Sequence, residues 1–84
     1  MSAGDEPVQP SGQLRWRARR GMRELDMLLQ RYLEQRYPCA PADERHAFAR
    51  LLEQTDADLL DWLMERATPP KEFADVVGAL RPGG

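Results

Sequence analysis

The stretch MRELDMLLQRYLEQR, Met22 to Arg36, decides the fold. Its residues Met22, Leu25, Leu28, Leu29, Tyr32 and Leu33 recur at three- and four-residue steps, which puts them on one arc of an α-helix. Glu24, Met27 and Arg31 fall on the opposite side, so Met27 is an apolar residue directed outward. The spacing predicts a helix over the whole stretch, stopped by Pro38, which pushes Tyr37 out of helical dihedrals.

Similar patterns flank it. A first short helix is expected from Ser11 or Gly12 through Leu14, Trp16 and Ala18, ending near Arg20 because Gly21 interrupts it. Pro41 suits the first position of a third helix, Asp43 and Glu44 complement its dipole, and Ala47, Phe48, Leu51 and Leu52 form its buried stripe. Thr55 or Asp56 caps a fourth, with Asp58 available for reciprocal capping. Its apolar arc of Leu59, Leu60, Trp62, Leu63 and Met64 is wider than one core contact needs, and it ends before Thr68. A fifth opens at Thr68 to Pro70 and buries Phe73, Val76, Val77 and Leu80. The β-branched residues are Val8, Thr55, Thr68, Val76 and Val77 alone, too few for strands. The expected fold is all-α, a compact antiparallel bundle of five short helices.

At 84 residues the chain holds one small domain, with a thin core and no room for a deep substrate cavity. Residues 1–12 read as a disordered tail, 13–81 as the helical domain and 82–84 as a frayed end. No apolar run approaches membrane-spanning length, and the N-terminus resembles no secretory segment, so a cytoplasmic location is expected. Cys39 and His46 are the sole residues of their types, which excludes an internal disulfide and any multi-thiolate metal site; both are expected to be exposed and inert. Without a P-loop, a GxGxxG, a CxxC or a paired-carboxylate spacing, the chain does not read as an enzyme. Its net charge of −2 conceals a dipole: Leu14 to Arg36 holds seven arginines against three acids, and Asp43 to Asp75 four bases against nine acids. A pI near 5.3 argues against nucleic acid as partner.

The informative junction is RWRARRGMRELD, Arg15 to Asp26, which concentrates charge around a glycine between two helices. Gly21 can take positive φ or admit a close backbone, whereas a side chain there would project into the junction. Arg19, Arg20 and Arg23 can each fork two hydrogen bonds onto a carboxylate or phosphate, and Glu24 is within helical reach of Arg20 if the helix starts early. Asp26, at the edge of the buried arc, needs a partner such as an arginine or backbone N–H groups, which favours a structural role. Trp16 is expected to pack into the core, with an exposed interface anchor as the alternative. These residues describe a helical protein-binding module.

The run RRGMRELD at Arg19 to Asp26, with FxRLLE at Phe48 to Glu53 and DxDLLDWLM at Asp56 to Met64, resembles the SdhE family of succinate dehydrogenase assembly factors, called Sdh5 or assembly factor 2 in mitochondria. The match spans roughly residues 13 to 80. The resemblance implies a five-helix protein that promotes covalent attachment of FAD to the flavoprotein subunit of succinate dehydrogenase, and in bacteria of fumarate reductase. FAD would be the client's cofactor, with none held tightly here. Arg20, Gly21 and Met22 match the family's RGM signature and Glu24 and Asp26 its following acids; with Arg19, Arg23 and Met27 they form the expected partner-binding surface. A regulatory module of antitoxin type is the alternative.

Overall fold

The computed structural model describes residues 7–81. Among these, five α-helices and no strand are present: α1 Gly12–Arg17, α2 Arg23–Gln35, α3 Ala42–Leu51, α4 Asp56–Leu63 and α5 Ala74–Leu80, with 3-10 turns at Tyr37–Cys39 and Lys71–Phe73. The all-helical expectation is met. None of the helices is long and apolar enough to cross a membrane.

Helices this short are marginal alone, so burial of their stripes holds them. Leu14 of α1, Leu25, Leu29 and Leu33 of α2, Phe48 and Leu51 of α3, Leu59 and Leu63 of α4, and Val76, Val77 and Leu80 of α5 join one contiguous core. Helix α5 packs against α2, α3 and α4, and its narrow apolar stripe is fully used. Tyr32 stacks on Phe48 with ring centroids 4.5 Å apart, and Trp62 lies 5.8 Å from Phe73.

The helix ends show what periodicity cannot resolve. Ser11 Oγ accepts the Leu14 N–H at 3.1 Å and Thr55 Oγ1 accepts the Asp58 N–H at 3.1 Å, capping α1 and α4 as their sequences suggest. Helix α1 stops at Arg17, short of Arg20, because Arg19 N–H turns back to Trp16 O at 3.0 Å. Met22 is the N-cap of α2 with extended dihedrals, so it leaves the buried arc predicted for it. Tyr37 does not leave helical space; the missing N–H of Pro38 instead tightens the chain into a 3-10 turn. Helix α5 starts at Ala74, preceded by the 3-10 turn, and Thr68 to Pro70 stay outside it.

Trp16 is a correction. It is 73% exposed, not packed in the core, because α1 docks through Leu14 and Ala18 and Trp16 lies on its far side. Residues 1–6 of the expected tail and the expected frayed residues 82–84 lie outside the described residues; Val8 donates its N–H to Pro38 O at 2.9 Å, and Pro10 is buried. Cys39 and His46 are exposed as expected.

Helix α4 ends at Leu63 in a Schellman arrangement: Arg66 N–H reaches Asp61 O at 2.7 Å, and Glu65 N–H reaches Trp62 O at 3.3 Å. The C′ residue is Glu65, at φ +60°, where glycine is usual. A left-handed non-glycine residue costs about 1–2 kcal/mol, while glycine returns roughly 0.5–1 through its freer unfolded chain. Glu65→Gly is therefore expected to stabilise by up to about 1 kcal/mol, read as a melting temperature raised by about 4–8 °C.

Glu44 binds α2 to α3. Its carboxylate, with a side chain only 8% exposed, accepts Tyr32 OH at 2.7 Å and both Arg36 Nε and Nη2 at 2.8 Å. The Arg36 hydrogen bond outweighs burial and holds the Glu44 carboxyl below the ordinary range, while burial and then Glu44 push the Tyr32 phenol far above its own. A carboxyl lowered on folding stabilises fully above its unfolded value of about 4.3, and this contribution is lost as pH falls through the lower folded value. Glu44→Ala, which leaves the Tyr32 hydroxyl buried and unpaired, is expected to cost about 2 kcal/mol at pH 7. In denaturant titrations across pH, Glu44→Gln should show a shallower loss of stability below pH ~4 than the parent.

Candidate partner-binding surface

The segment Ala18 to Met22 crosses from α1 to α2, and two internal locks set its shape. The first is Asp26, in the opening turn of α2. Its Oδ1 accepts Arg20 N–H at 2.7 Å and its Oδ2 accepts Gly21 N–H at 3.3 Å, so one carboxylate closes the loop that precedes its own helix. A carboxylate here also complements the positive end of the helix dipole. The structural reading of Asp26 is thereby met, with backbone N–H groups as its partners.

The second lock is Arg20. Its guanidinium reaches 32 to 36 residues along the chain: Nε to Asp56 Oδ1 at 2.7 Å, Nη1 to Leu52 O at 2.7 Å and Nη2 to Gln54 O at 2.6 Å. Nη1 also donates to Arg17 O at 3.3 Å. The side chain is 16% exposed and its fork is committed within the molecule. Pairing with Glu24 does not occur, because α2 begins at Arg23 and Arg20 is not in its helical frame. Arg20 thus clamps the α1–α2 junction onto the α3–α4 turn.

Between the locks stands Gly21, exposed, at φ +82°. A Cβ built on it meets nothing within 4 Å. A side chain would therefore point into open space, not into the junction as expected from sequence, and only the backbone conformation resists it. Around Gly21 the exposed groups are one-sided. Arg15, Arg17, Arg19 and Arg23 are exposed, against Glu24 as the exposed acid of this stretch. The large apolar side chains that reach solvent here are Trp16, Met22 at 36% and Met27 at 60%; Met27 faces outward as the wheel predicted.

Helix α4 adds a wall that the signature does not contain. Met22 and Leu25 face Leu60 and Met64 across a shallow groove of about 370 Å³. The wide apolar arc of α4 was the sequence signal for this: Leu59, Trp62 and Leu63 are buried, while Leu60 and Met64 are left half-buried. Asp56, the partner of Arg20, had no such signal, since a first-turn aspartate is already explained by the helix dipole.

Among the described residues no group of three or more His, Cys, Asp or Glu side chains is placed to hold a metal ion. The arrangement offers a basic surface studded with exposed apolar side chains.

The family model described as the flavinator of succinate dehydrogenase, Sdh5, matches residues 12–82. A curated FAD assembly factor SdhE of Coxiella burnetii is 40% identical over 74 residues, 87% of this chain and 89% of the relative. The namesake of Acinetobacter baylyi is 48% identical over 56 residues, 67% of this chain and 66% of the relative. That of Xylella fastidiosa is 52% identical over 60 residues, 71% of this chain and 61% of the relative.

Proposed function

The chain belongs to the SdhE/Sdh5 family, and from that premise we propose that it is an FAD assembly factor that binds the flavoprotein subunit of succinate dehydrogenase and promotes its covalent flavinylation. The observation that carries this reading is the Gly21 turn: locked from within by Asp26 and Arg20, open on its outer side, and bordered by exposed Arg19, Met22, Arg23, Glu24 and Met27. Those five residues and Gly21 meet the client, while Arg20 and Asp26 hold the turn in shape.

A surface fixed before contact loses little conformational entropy on binding, so its interaction energy goes into selecting a client conformation. A tenfold shift of the client toward a flavinylation-competent state needs only about 1.4 kcal/mol of differential affinity. The exposed arginines favour an acidic client face and speed encounter. Bond formation is left to the client and its FAD, so the chain acts as a chaperone and not as an enzyme. The flavoprotein of fumarate reductase is a second client of the same surface, and the cytoplasm is the site of action, in keeping with a lone free thiol at Cys39.

The test is covalent flavin on the flavoprotein subunit, read as in-gel fluorescence, in cells with and without this chain. Loss of most of the covalent flavin on deletion, restored by the gene, is expected; undiminished flavin without the chain would overturn the proposal.

A further inference from the structure

We propose that the groove between α2 and α4 is a second contact site for the flavoprotein, one that receives an apolar side chain flanked by a carboxylate. This rests on the function proposed above and extends it to residues outside the signature.

Four observations carry it. The groove is lined by Leu25 of α2 with its N-cap Met22, and by Leu60 of α4 with its C-cap Met64. It is shallow, about 370 Å³, and has room for an apolar side chain together with the residues flanking it. The charged groups beside it, Arg23, Glu24 and Arg66, are all exposed, with arginine in the majority. Arg66 is held only loosely by Asp61, at 3.6 Å, so its guanidinium is available to a carboxylate from outside.

The groove also continues the Gly21 turn without a break, since Met22 and Arg23 belong to both. The two positive-φ residues among those described adjoin its lining in sequence, Gly21 before Met22, and Glu65 between Met64 and Arg66. Glu65 holds a conformation that glycine would adopt at less cost, and it is this turn that brings both Met64 and Arg66 to the groove. A client segment seated on the turn would therefore run on into the groove, its apolar side chain on Leu60 and Met64 and its acid against Arg66 or Arg23.

The experiment measures binding of the purified flavoprotein subunit to the full chain by calorimetry at two salt concentrations, with covalent flavinylation alongside. Met64→Glu puts a charge where the apolar side chain sits and is expected to weaken binding about 10- to 100-fold, the equivalent of one buried apolar side chain. Met64→Leu, similar in volume, should bind like the parent. Arg66→Glu changes an exposed residue whose loss does not threaten the fold; it should weaken binding several-fold and flatten the salt dependence. If the parent binds and flavinylates but Met64→Glu and Arg66→Glu do so equally well, the groove is not a client site and the proposed function stands. If the parent does not bind the flavoprotein at all, both fail. If instead the two variants abolish self-association of the chain and leave client binding intact, the groove belongs to a second copy and the inference is overturned.

Discussion

Gly21→Arg is expected to leave the helical bundle folded and to reduce covalent flavinylation of the client at least tenfold. Two separate effects are at work. At φ +82° any L side chain strains the backbone, at about 1–2 kcal/mol, which corresponds to a melting temperature lowered by roughly 5–15 °C. No steric clash is added within the molecule, because a Cβ at this position meets nothing within 4 Å. The functional loss has the other origin: a long cationic side chain stands on the open side of the turn, where the client contact is proposed, and adds charge to a stretch already dominated by arginine. Gly21→Ala separates the two. It carries the same backbone strain with almost no projection, and should retain flavinylation within about threefold. Circular dichroism melts and in-gel flavin fluorescence on both variants give the comparison. Equal, severe loss in Gly21→Ala would mean that the turn's backbone conformation, and not its open approach, is what the client requires.

The largest effect on stability is expected at Arg20. Arg20→Ala removes the Asp56 ion pair and the hydrogen bonds to Leu52 O and Gln54 O, leaving their acceptors to recruit water at a partly covered turn. Charge-assisted bonds of this kind contribute about 1.5–3 kcal/mol, so a loss of about 2–3 kcal/mol is expected, or roughly 10–20 °C in melting temperature for a domain this size. Arg20→Lys should recover less than half, since an ammonium cannot fork across three acceptors. Asp56→Asn alone should cost about 1 kcal/mol, and the Arg20→Ala, Asp56→Asn double variant should cost less than the sum, because the two single changes break the same bond. Strict additivity in that cycle would show that the 2.7 Å pair contributes nothing in solution. Flavinylation should fall in Arg20→Ala as well, through the slackened Gly21 turn and without loss of any direct client contact.

Much of the helix layout was legible because it is written in local chemistry. The stripe from Leu25 to Leu33, the Ser11 and Thr55 caps and the Phe73 to Leu80 stripe each need only residues a turn or two away. Trp16 was misread for the converse reason. Size and apolarity favour burial, but which face of a six-residue helix is covered depends on what packs against it, and α1 offers Leu14 and Ala18 to the core. Glu65 escaped notice because a Schellman ending is usually announced by glycine, and nothing in its neighbours marks φ +60°.

The candidate surface divides along the same line. The charged glycine junction, the outward Met27 and the structural Asp26 follow from periodicity and from the cost of burying a carboxylate. The role of Arg20 does not: its identity suggests a free guanidinium among others, yet its acceptors lie 32 to 36 residues away. By itself the sequence determined the helices, the apolar stripes and the place of the signature, since these depend on interactions within a few residues of each other. Only the tertiary structure decided which arginine is a clamp and which stand exposed, and which half-buried residues share a groove between α2 and α4. A hydrogen bond between distant segments forms only after the core has brought them together, and no local pattern records it.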